Sequence, residues 1–150
     1  MLSSFDTNIL IYAANEDCPE HEVCKSFLSH AASDPDQWII ADQVYLELYR
    51  ALRNPRVLRL PLNAVQAAAH IELLREGPGF LHCGYVVECW GSVITQLKQG
   101  DFPYQRTHDA VLAATLMQHG VKTFYTRNMK DFIKSGFEQV VDPLEEGLRL

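Results

Sequence analysis

The chain has 150 residues, enough for one domain with a substantial core, and its 47% apolar and 21% charged residues are typical of a soluble globular protein. A net charge of −6 and an isoelectric point of about 5.4 argue against a broad basic surface for nucleic acid, so any such role must depend on a local patch. No apolar run approaches the roughly 20 residues of a membrane helix, and no basic stretch precedes an apolar one at the N-terminus, so we expect a cytoplasmic protein without a signal peptide or membrane contact.

Short apolar runs alternate with longer amphipathic segments along the chain. The runs predict strands at residues 2–5, 38–41, 80–83, 122–126 and 138–141. Apolar residues at helical spacing predict helices from residue 8 to the loop at 15, and at 20–32, 43–54, 62–75, 86–99 and 107–120. This alternation is typical of a parallel sheet covered by helices, so we expect a single layered α/β domain over residues 1–150.

The first predicted strand runs directly into an acid. Asp6 follows Phe5, with Thr7 and Asn8 behind it. The carboxyl ends of parallel strands form the edge at which open α/β sheets bind ligands, so Asp6 is a candidate metal ligand. Asp, Thr and Asn are also good N-cap residues, and on Asp6 alone we favour a helix cap as the explanation.

Two further acids lie on predicted helices that can begin near the same edge. Glu47 borders the apolar face of the third helix, for which Asp42 is the expected N-cap. Asp109 falls in the first turn of the last helix, behind the expected N-cap Thr107, where the helix dipole favours a carboxylate. The run of alanines after Asp109 suits a helix lying close on a sheet, which would hold this acid at the edge. A solvent-facing glutamate and an ordinary helix-start aspartate remain the alternatives.

The most basic stretch of the chain follows Glu47. Its arginines recur every three residues: Arg50, Arg53, Arg56 and Arg59. A solvated helix face is the simplest explanation. The functional hypothesis is a strip that contacts the phosphate backbone of a nucleic acid beside Glu47.

Acids meeting at one sheet edge would repel one another unless a cation joined them. For Asp6, Glu47 and Asp109, all-oxygen ligands of this kind suit Mg²⁺ or Mn²⁺. Such an ion lowers the pKa of a bound water and stabilises charge on a phosphoryl oxygen. Clustered acids, a divalent ion and a nearby arginine strip therefore indicate hydrolysis of phosphodiesters.

Four segments stand in a fixed order along the chain. They are residues 5–10 (Phe-Asp-Thr-Asn-Ile-Leu), Glu47, residues 108–110 (His-Asp-Ala) with Ala113 and Ala114, and residues 125–128 (Tyr-Thr-Arg-Asn) followed by Asp131 and Phe132. Together they resemble PIN-domain ribonucleases, and most closely the VapC-type toxins of bacterial toxin–antitoxin pairs. The resemblance implies a three-layer α/β/α fold around a parallel sheet of about five strands. It also implies endoribonuclease activity dependent on Mg²⁺ or Mn²⁺, dimerisation, and inhibition by a VapB-like partner.

The resemblance also assigns roles to individual residues. The metal ligands and catalytic acids would be Asp6, Glu47 and Asp109, and the supporting residues Thr7, Asn8, Thr126, Asn128 and Asp131. The RNA contacts Arg50, Arg53 and Arg56 are predicted from the arginine strip itself. Thr7 and Asn8 would orient the Asp6 carboxylate, and Asp131 is expected to support its loop. Asn128 stands where the family usually has a fourth acid, which leaves open whether one or two ions bind.

Two other hypotheses remain open from the sequence. A phosphatase of the haloacid dehalogenase type also places an early Asp at a strand end, but its chemistry uses a second Asp where this chain has Asn8. A PIN-like module that binds RNA or protein without catalysis is the other alternative, and Asn128 is the residue that motivates it.

Overall fold

The computed structural model of the protein describes residues 1–145, so the end of the tail predicted after Pro143, residues 146–150, lies outside the described residues. The strands are β1 (Ser3–Phe5), β2 (Ile39–Ala41), β3 (Leu81–Cys83), β4 (Thr123–Tyr125) and β5 (Gln139–Val141). The helices are α1 (Thr7–Ala14), α2 (His21–Ala32), α3 (Asp42–Leu52), α4 (Ala64–Glu76), α5 (Trp90–Leu97), α6 (Thr107–Gln118) and α7 (Met129–Phe132). Within the described part of the chain, no helix is long and apolar enough to cross a membrane.

The strands form a parallel sheet, as the alternation of strands and helices predicts. β1 pairs with β4 and β4 with β5, while β2 pairs with β3. A single parallel bridge between Ser3 and Trp38 joins the two groups, which gives the order β3-β2-β1-β4-β5. Helices α1 to α4 pack one on another, whereas α5 packs on α6 and α6 on β2. The predicted α/β fold with a parallel sheet of about five strands is confirmed, and the strands end at one edge.

Aromatic side chains fix the centre of this sheet. Phe5 is fully buried, and its ring meets those of Phe27 and Phe80 edge to face at centroid distances of 6.0 and 5.6 Å. Trp38 packs against Phe27 at 5.3 Å. Rings of this size dominate the energetics of a core, so the end of β1 is held firmly in place. The residue that follows, Asp6, therefore has a fixed position at the sheet edge.

Helix α6 lies close on the sheet, as its small residues predict. Ala110, Ala113 and Ala114 are at most 2% exposed, and Leu112 and Leu116 are buried with them. Because alanine side chains are short, the helix axis can approach the strands closely, and the start of α6 is held near the edge where the strands end.

The apolar spacing in the helices predicted at 62–75 and 86–99 predicts that Val65, Leu73 and Trp90 pack inward, but all three are exposed. Val65 and Leu73 on α4 are 79% and 75% exposed, and Trp90 is 58% exposed. Helix α4 packs on α3, so only a narrow stripe that includes the fully buried Ala67 faces the core. The predicted helix at 86–99 instead begins as a 3₁₀ turn, Val87–Cys89, and becomes α-helical only at Trp90.

Two expected helix caps are wrong by one position. Asp42 is the first residue of α3 rather than its N-cap, and its carboxylate accepts a hydrogen bond from Arg75 Nε at 2.7 Å. Thr107 is likewise the first residue of α6, and its hydroxyl donates to the carbonyl of Tyr104 at 2.6 Å. The Asp42 carboxylate forms a long-range ion pair instead of capping its helix. Thr107 follows a 3₁₀ turn that continues directly into α6, so it is already part of the helix.

Candidate active site

Asp6 lies at the junction of β1 and α1 and is only 8% exposed. Its Oδ1 accepts a hydrogen bond from the backbone N–H of Thr7 at 2.8 Å, which confirms the N-cap interpretation. Its Oδ2 accepts from the hydroxyl of Thr126 at 2.9 Å. A carboxylate oxygen carries two lone pairs, so each oxygen of Asp6 can still accept one more partner. Capping the helix and binding a ligand are therefore compatible roles.

The hydroxyl of Thr126 connects the ends of β1 and β4. Thr126 is fully buried and, besides donating to Asp6, accepts from the backbone N–H of Asn128 at 2.9 Å and from Asn8 Nδ2 at 3.4 Å. The side-chain amide oxygen of Asn8, Oδ1, is buried without a hydrogen-bond partner. A buried acceptor without a donor is costly, so this oxygen marks a place where a further polar group would fit.

Glu47 does not face open solvent but points toward α1 and α6. Its Oε2 accepts a hydrogen bond from the Thr7 hydroxyl at 2.6 Å, and its Oε1 accepts from Gln43 Nε2 at 3.0 Å. The same amide nitrogen donates to the backbone carbonyl of His108 at 2.9 Å. Sequence reasoning missed Gln43. The available signal was its position four residues before Glu47, which places both side chains on one helix face.

The pKa values of Asp6 and Asp109 are both raised, and for related reasons. Burial raises the pKa of Asp6 to about 6, against the opposing effect of its hydrogen bonds, and the negative charges of Glu47 and Asp131 add to the increase. The pKa of Asp109, in the first turn of α6, rises to about 7 because of burial and then of the charge on Asp6. Charges on Asp131 and Glu47 also raise it, while Arg106 lowers it. The acids thus influence one another at a single edge of the sheet.

Asp131 and Asn128 lie on the segment that follows β4. Asp131 Oδ1 forms an ion pair with Arg106 Nε at 2.9 Å, which ties α7 to the start of α6. Asn128 is exposed and occupies the N-cap position of α7 without a side-chain cap hydrogen bond. Sequence reasoning also missed Arg106, whose only signal was that it directly precedes the helix carrying Asp109.

Two of the arginines share a groove with Glu47. Arg50 and Arg53 line an open groove of about 590 Å³ that begins at Glu47. The guanidinium of Arg53 lies 5.6 Å from the ring centre of Tyr49 and donates to its hydroxyl at 3.1 Å. This end of the arginine strip is therefore positioned to contact a chain that approaches the acids.

The rest of the arginine strip turns away from this groove. Arg56 is exposed and does not line the groove. Arg59 pairs with Asp17 at 3.2 Å, and both residues line a different cavity. The structure therefore brings Arg50 and Arg53 to the candidate site and leaves the other two outside it.

The donor set fits a divalent cation bound by oxygen. Among residues 1–145, no three His, Cys, Asp or Glu side chains are positioned to hold a metal as they stand. Asp6 and Glu47 are instead held by hydrogen bonds, with lone pairs left over on their carboxylate oxygens. The raised pKa values of Asp6 and Asp109 and the unpartnered Asn8 oxygen show negative charge and acceptors without enough donors. Oxygen donors of this kind suit Mg²⁺ or Mn²⁺.

Comparison with known proteins agrees with this geometry. The model of the PIN domain family matches residues 4–137. The chain belongs to the PIN-domain family. Ribonuclease VapC24 of Mycobacterium tuberculosis is 38% identical to it over 144 residues, which cover 94% of this chain and 96% of that protein. Ribonuclease VapC48 of the same organism is 26% identical over 146 residues, which cover 95% and 98%.

Two solved structures share the fold of this chain. VapC20 of M. tuberculosis, described as a sarcin–ricin loop cleaving toxin, has a TM-score of 0.68 at 19% identity and covers 90% of this chain and 95% of its own. VapBC-1 of nontypeable Haemophilus influenzae has a TM-score of 0.64 at 21% identity and covers 96% and 99%. The predicted PIN-like fold is confirmed.

Proposed function

We propose that this chain is a metal-dependent endoribonuclease that hydrolyses RNA phosphodiester bonds, and that it is the toxin of a type II toxin–antitoxin pair. The observation that supports this most is that Asp6, Glu47 and Asp109, from three separate elements, lie close enough at one sheet edge for the charges of Asp6 and Glu47 to raise the pKa of Asp109. The similar proteins named as ribonucleases support RNA as the substrate. A solved toxin–antitoxin complex and VapBC structures with this fold support an antitoxin of the VapB type as a partner.

In this proposal the three acids hold Mg²⁺ or Mn²⁺ through carboxylate lone pairs, including those that the hydrogen bonds of Asp6 and Glu47 leave free. When bound, the ion would lower the pKa of a water and stabilise charge on the phosphate. Thr126 and the Thr7 backbone N–H keep the Asp6 carboxylate in one orientation, and the Thr7 hydroxyl does the same for Glu47. Carboxylates that are oriented before the substrate arrives lower the entropic part of the barrier.

RNA would reach the acids along the groove lined by Arg50 and Arg53. The net charge of −6 makes phosphate binding elsewhere on the surface unfavourable, so the positive charges of these two arginines would guide the RNA.

We further propose that the protein acts in the cytoplasm as a homodimer. Exposed apolar residues such as Val87, at 78%, and Trp90, at 58%, support a surface that another chain covers.

The first experiment is cleavage of total bacterial RNA by the purified protein with Mn²⁺, with EDTA, and with the variant Asp6→Asn. We expect fragments only with Mn²⁺, and at least about 100-fold slower cleavage by the variant, because losing a ligand removes several kcal/mol of charge stabilisation. The control is Asp17→Asn, an exposed acid far from the site. Equal cleavage by Asp6→Asn would refute the assignment. A folded protein that cleaves nothing with Mn²⁺ would favour the non-catalytic binding module.

The arginine groove is tested by RNA binding in the Asp6→Asn background. Arg50→Ala and Arg53→Ala should each weaken binding of a single-stranded RNA and reduce the slope of log K against log salt by about 0.7, since each removes one phosphate contact. Arg59→Ala, whose guanidinium pairs with Asp17, is the matched control and should leave the slope unchanged. Arg56→Ala decides whether the contact surface extends beyond the groove. Fluorescence anisotropy at several salt concentrations gives all four slopes.

A further inference from the structure

A single side-chain amide joins two helices of the acid site. Gln43 on α3 donates both N–H groups of Nε2, one to Glu47 Oε1 at 3.0 Å and one to the carbonyl of His108 at 2.9 Å. Both partners only accept hydrogen bonds, so the nitrogen of the amide must face them. His108 lies directly before Asp109 in the first turn of α6. The Gln43 amide therefore connects the backbone that carries Asp109 to the side chain of Glu47.

Glu47 is held on its other side as well. The Thr7 hydroxyl donates to Oε2 at 2.6 Å, so each oxygen of this carboxylate has one hydrogen bond and a lone pair to spare. A free glutamate side chain loses rotamer entropy when it is fixed, which costs free energy. In this protein the hydrogen bonds from Gln43 and Thr7 fix the side chain before any cation binds.

We propose that Gln43 is a positioning residue of the metal site, and that it raises the affinity for Mg²⁺ or Mn²⁺ by setting the spacing between Glu47 and Asp109. The inference rests on the proposed function, because it assumes that these acids share an ion. Gln43 is partly exposed and donates to the Glu47 carboxylate and to the backbone of the first turn of α6, so its amide acts on ligand placement and contributes little to the core. Mutation of residues that hydrogen-bond to metal ligands and orient them typically changes the affinity for the metal by about 10–100-fold.

The test measures Mn²⁺ binding by calorimetry for the wild type, Gln43→Met and the control Gln118→Met. Methionine keeps the length and helix propensity of glutamine but cannot donate, and Gln118 is an exposed glutamine at the far end of α6. We expect about 10-fold weaker binding for Gln43→Met and unchanged binding for Gln118→Met. Thermal unfolding in EDTA should give the same midpoint for both. Gln43→Ala, which adds no apolar group, should repeat the loss of affinity.

A double-mutant cycle separates positioning from a general structural effect. In a Glu47→Gln background the spacing between two charged ligands no longer matters, so Gln43→Met should change Mn²⁺ affinity by less than about twofold. Wild-type affinity in Gln43→Met, or an equal loss in both backgrounds, would overturn the role of Gln43 and leave the proposed function standing. A wild type that binds no Mn²⁺ would overturn the metal site and this inference together.

Discussion

Two aspartates at one edge of the sheet show how position alone does not make a site. Asp6 directly follows β1 and Asp42 directly follows β2, and each stands at the start of a helix. Asp42 is half exposed and pairs with Arg75 at 2.7 Å. Asp6 is buried and, among the ion pairs of residues 1–145, has no cationic partner. Burial of an uncompensated carboxylate is what raises its pKa.

The surroundings of the two aspartates differ in the same way. Beside Asp42, the hydroxyl of Tyr45 and Nε2 of His82 lie 2.9 Å apart, so these polar groups satisfy each other without net charge. Beside Asp6, the acid Asp109 has a pKa raised to about 7 by burial and neighbouring negative charge. The negative charge at the Asp42 end of the edge is therefore balanced by a cation, whereas the negative charge at the Asp6 end is not. The uncompensated half is the one that gains from a cation.

The largest expected difference between the halves is in catalysis. Asp109→Asn should slow Mn²⁺-dependent RNA cleavage by at least about 100-fold, since it removes a charged ligand. Asp42→Asn, at the same edge, should change the rate by less than about twofold because its partner Arg75 lies outside the acid cluster. Initial rates at saturating Mn²⁺ give both values. Similar losses in the two variants would mean that the edge as a whole, and not its uncompensated half, determines activity.

The next effect is on stability and depends on pH. The pKa of Asp109 is raised in the folded state, so its favourable contribution is present below about pH 4 and is lost as the pH rises through about 7. Asp109→Asn should therefore stabilise the metal-free protein relative to wild type at pH 8, by about 1–2 kcal/mol after solvent screening, and much less at pH 5. Urea unfolding in EDTA at both pH values measures the difference.

A comparison with wild type at each pH is necessary because other groups titrate in the same range. Burial lowers the pKa values of His70 and His82, and lowered histidine pKa values make stability rise with pH. Those contributions cancel when Asp109→Asn is compared with wild type at one pH. An Asp109→Asn variant that is equally stabilised or destabilised at pH 5 and pH 8 would contradict the uncompensated charge.

The positions of the three acids in the strands and helices could be predicted because they follow from local sequence patterns. A strand that runs directly into Asp6, a helix face that includes Glu47, and a first helical turn that holds Asp109 each follow from short stretches of sequence. Parallel strands then bring these stretches to one edge. The family resemblance added the order of the motifs, and the family match supports it.

Contacts between distant segments were not predictable in this way. Gln43 donates a hydrogen bond to His108, which lies 65 positions away in the sequence, and Asp42 accepts one from Arg75, 33 positions away. Both contacts depend on how the helices cross. The same limit explains why Val65 was expected to pack: helical spacing identifies an apolar face but not how much of it a neighbouring helix covers. Compensation of charge is a tertiary property, and it is the property that separates Asp6 from Asp42.

The smallest effect compares two similar ion pairs. Arg75 with Asp42 and Arg106 with Asp131 are both partly exposed, so Arg75→Ala and Arg106→Ala should each cost less than about 1 kcal/mol of stability. Only Arg106 faces the acid cluster, where its charge opposes the rise in the pKa of Asp109. NMR titration of the Asp109 carboxyl should therefore show a higher pKa in Arg106→Ala and the wild-type value in Arg75→Ala. If both variants left that pKa unchanged, Arg106 would serve only to tie α7 to α6, and the cluster would lack even this partial compensation.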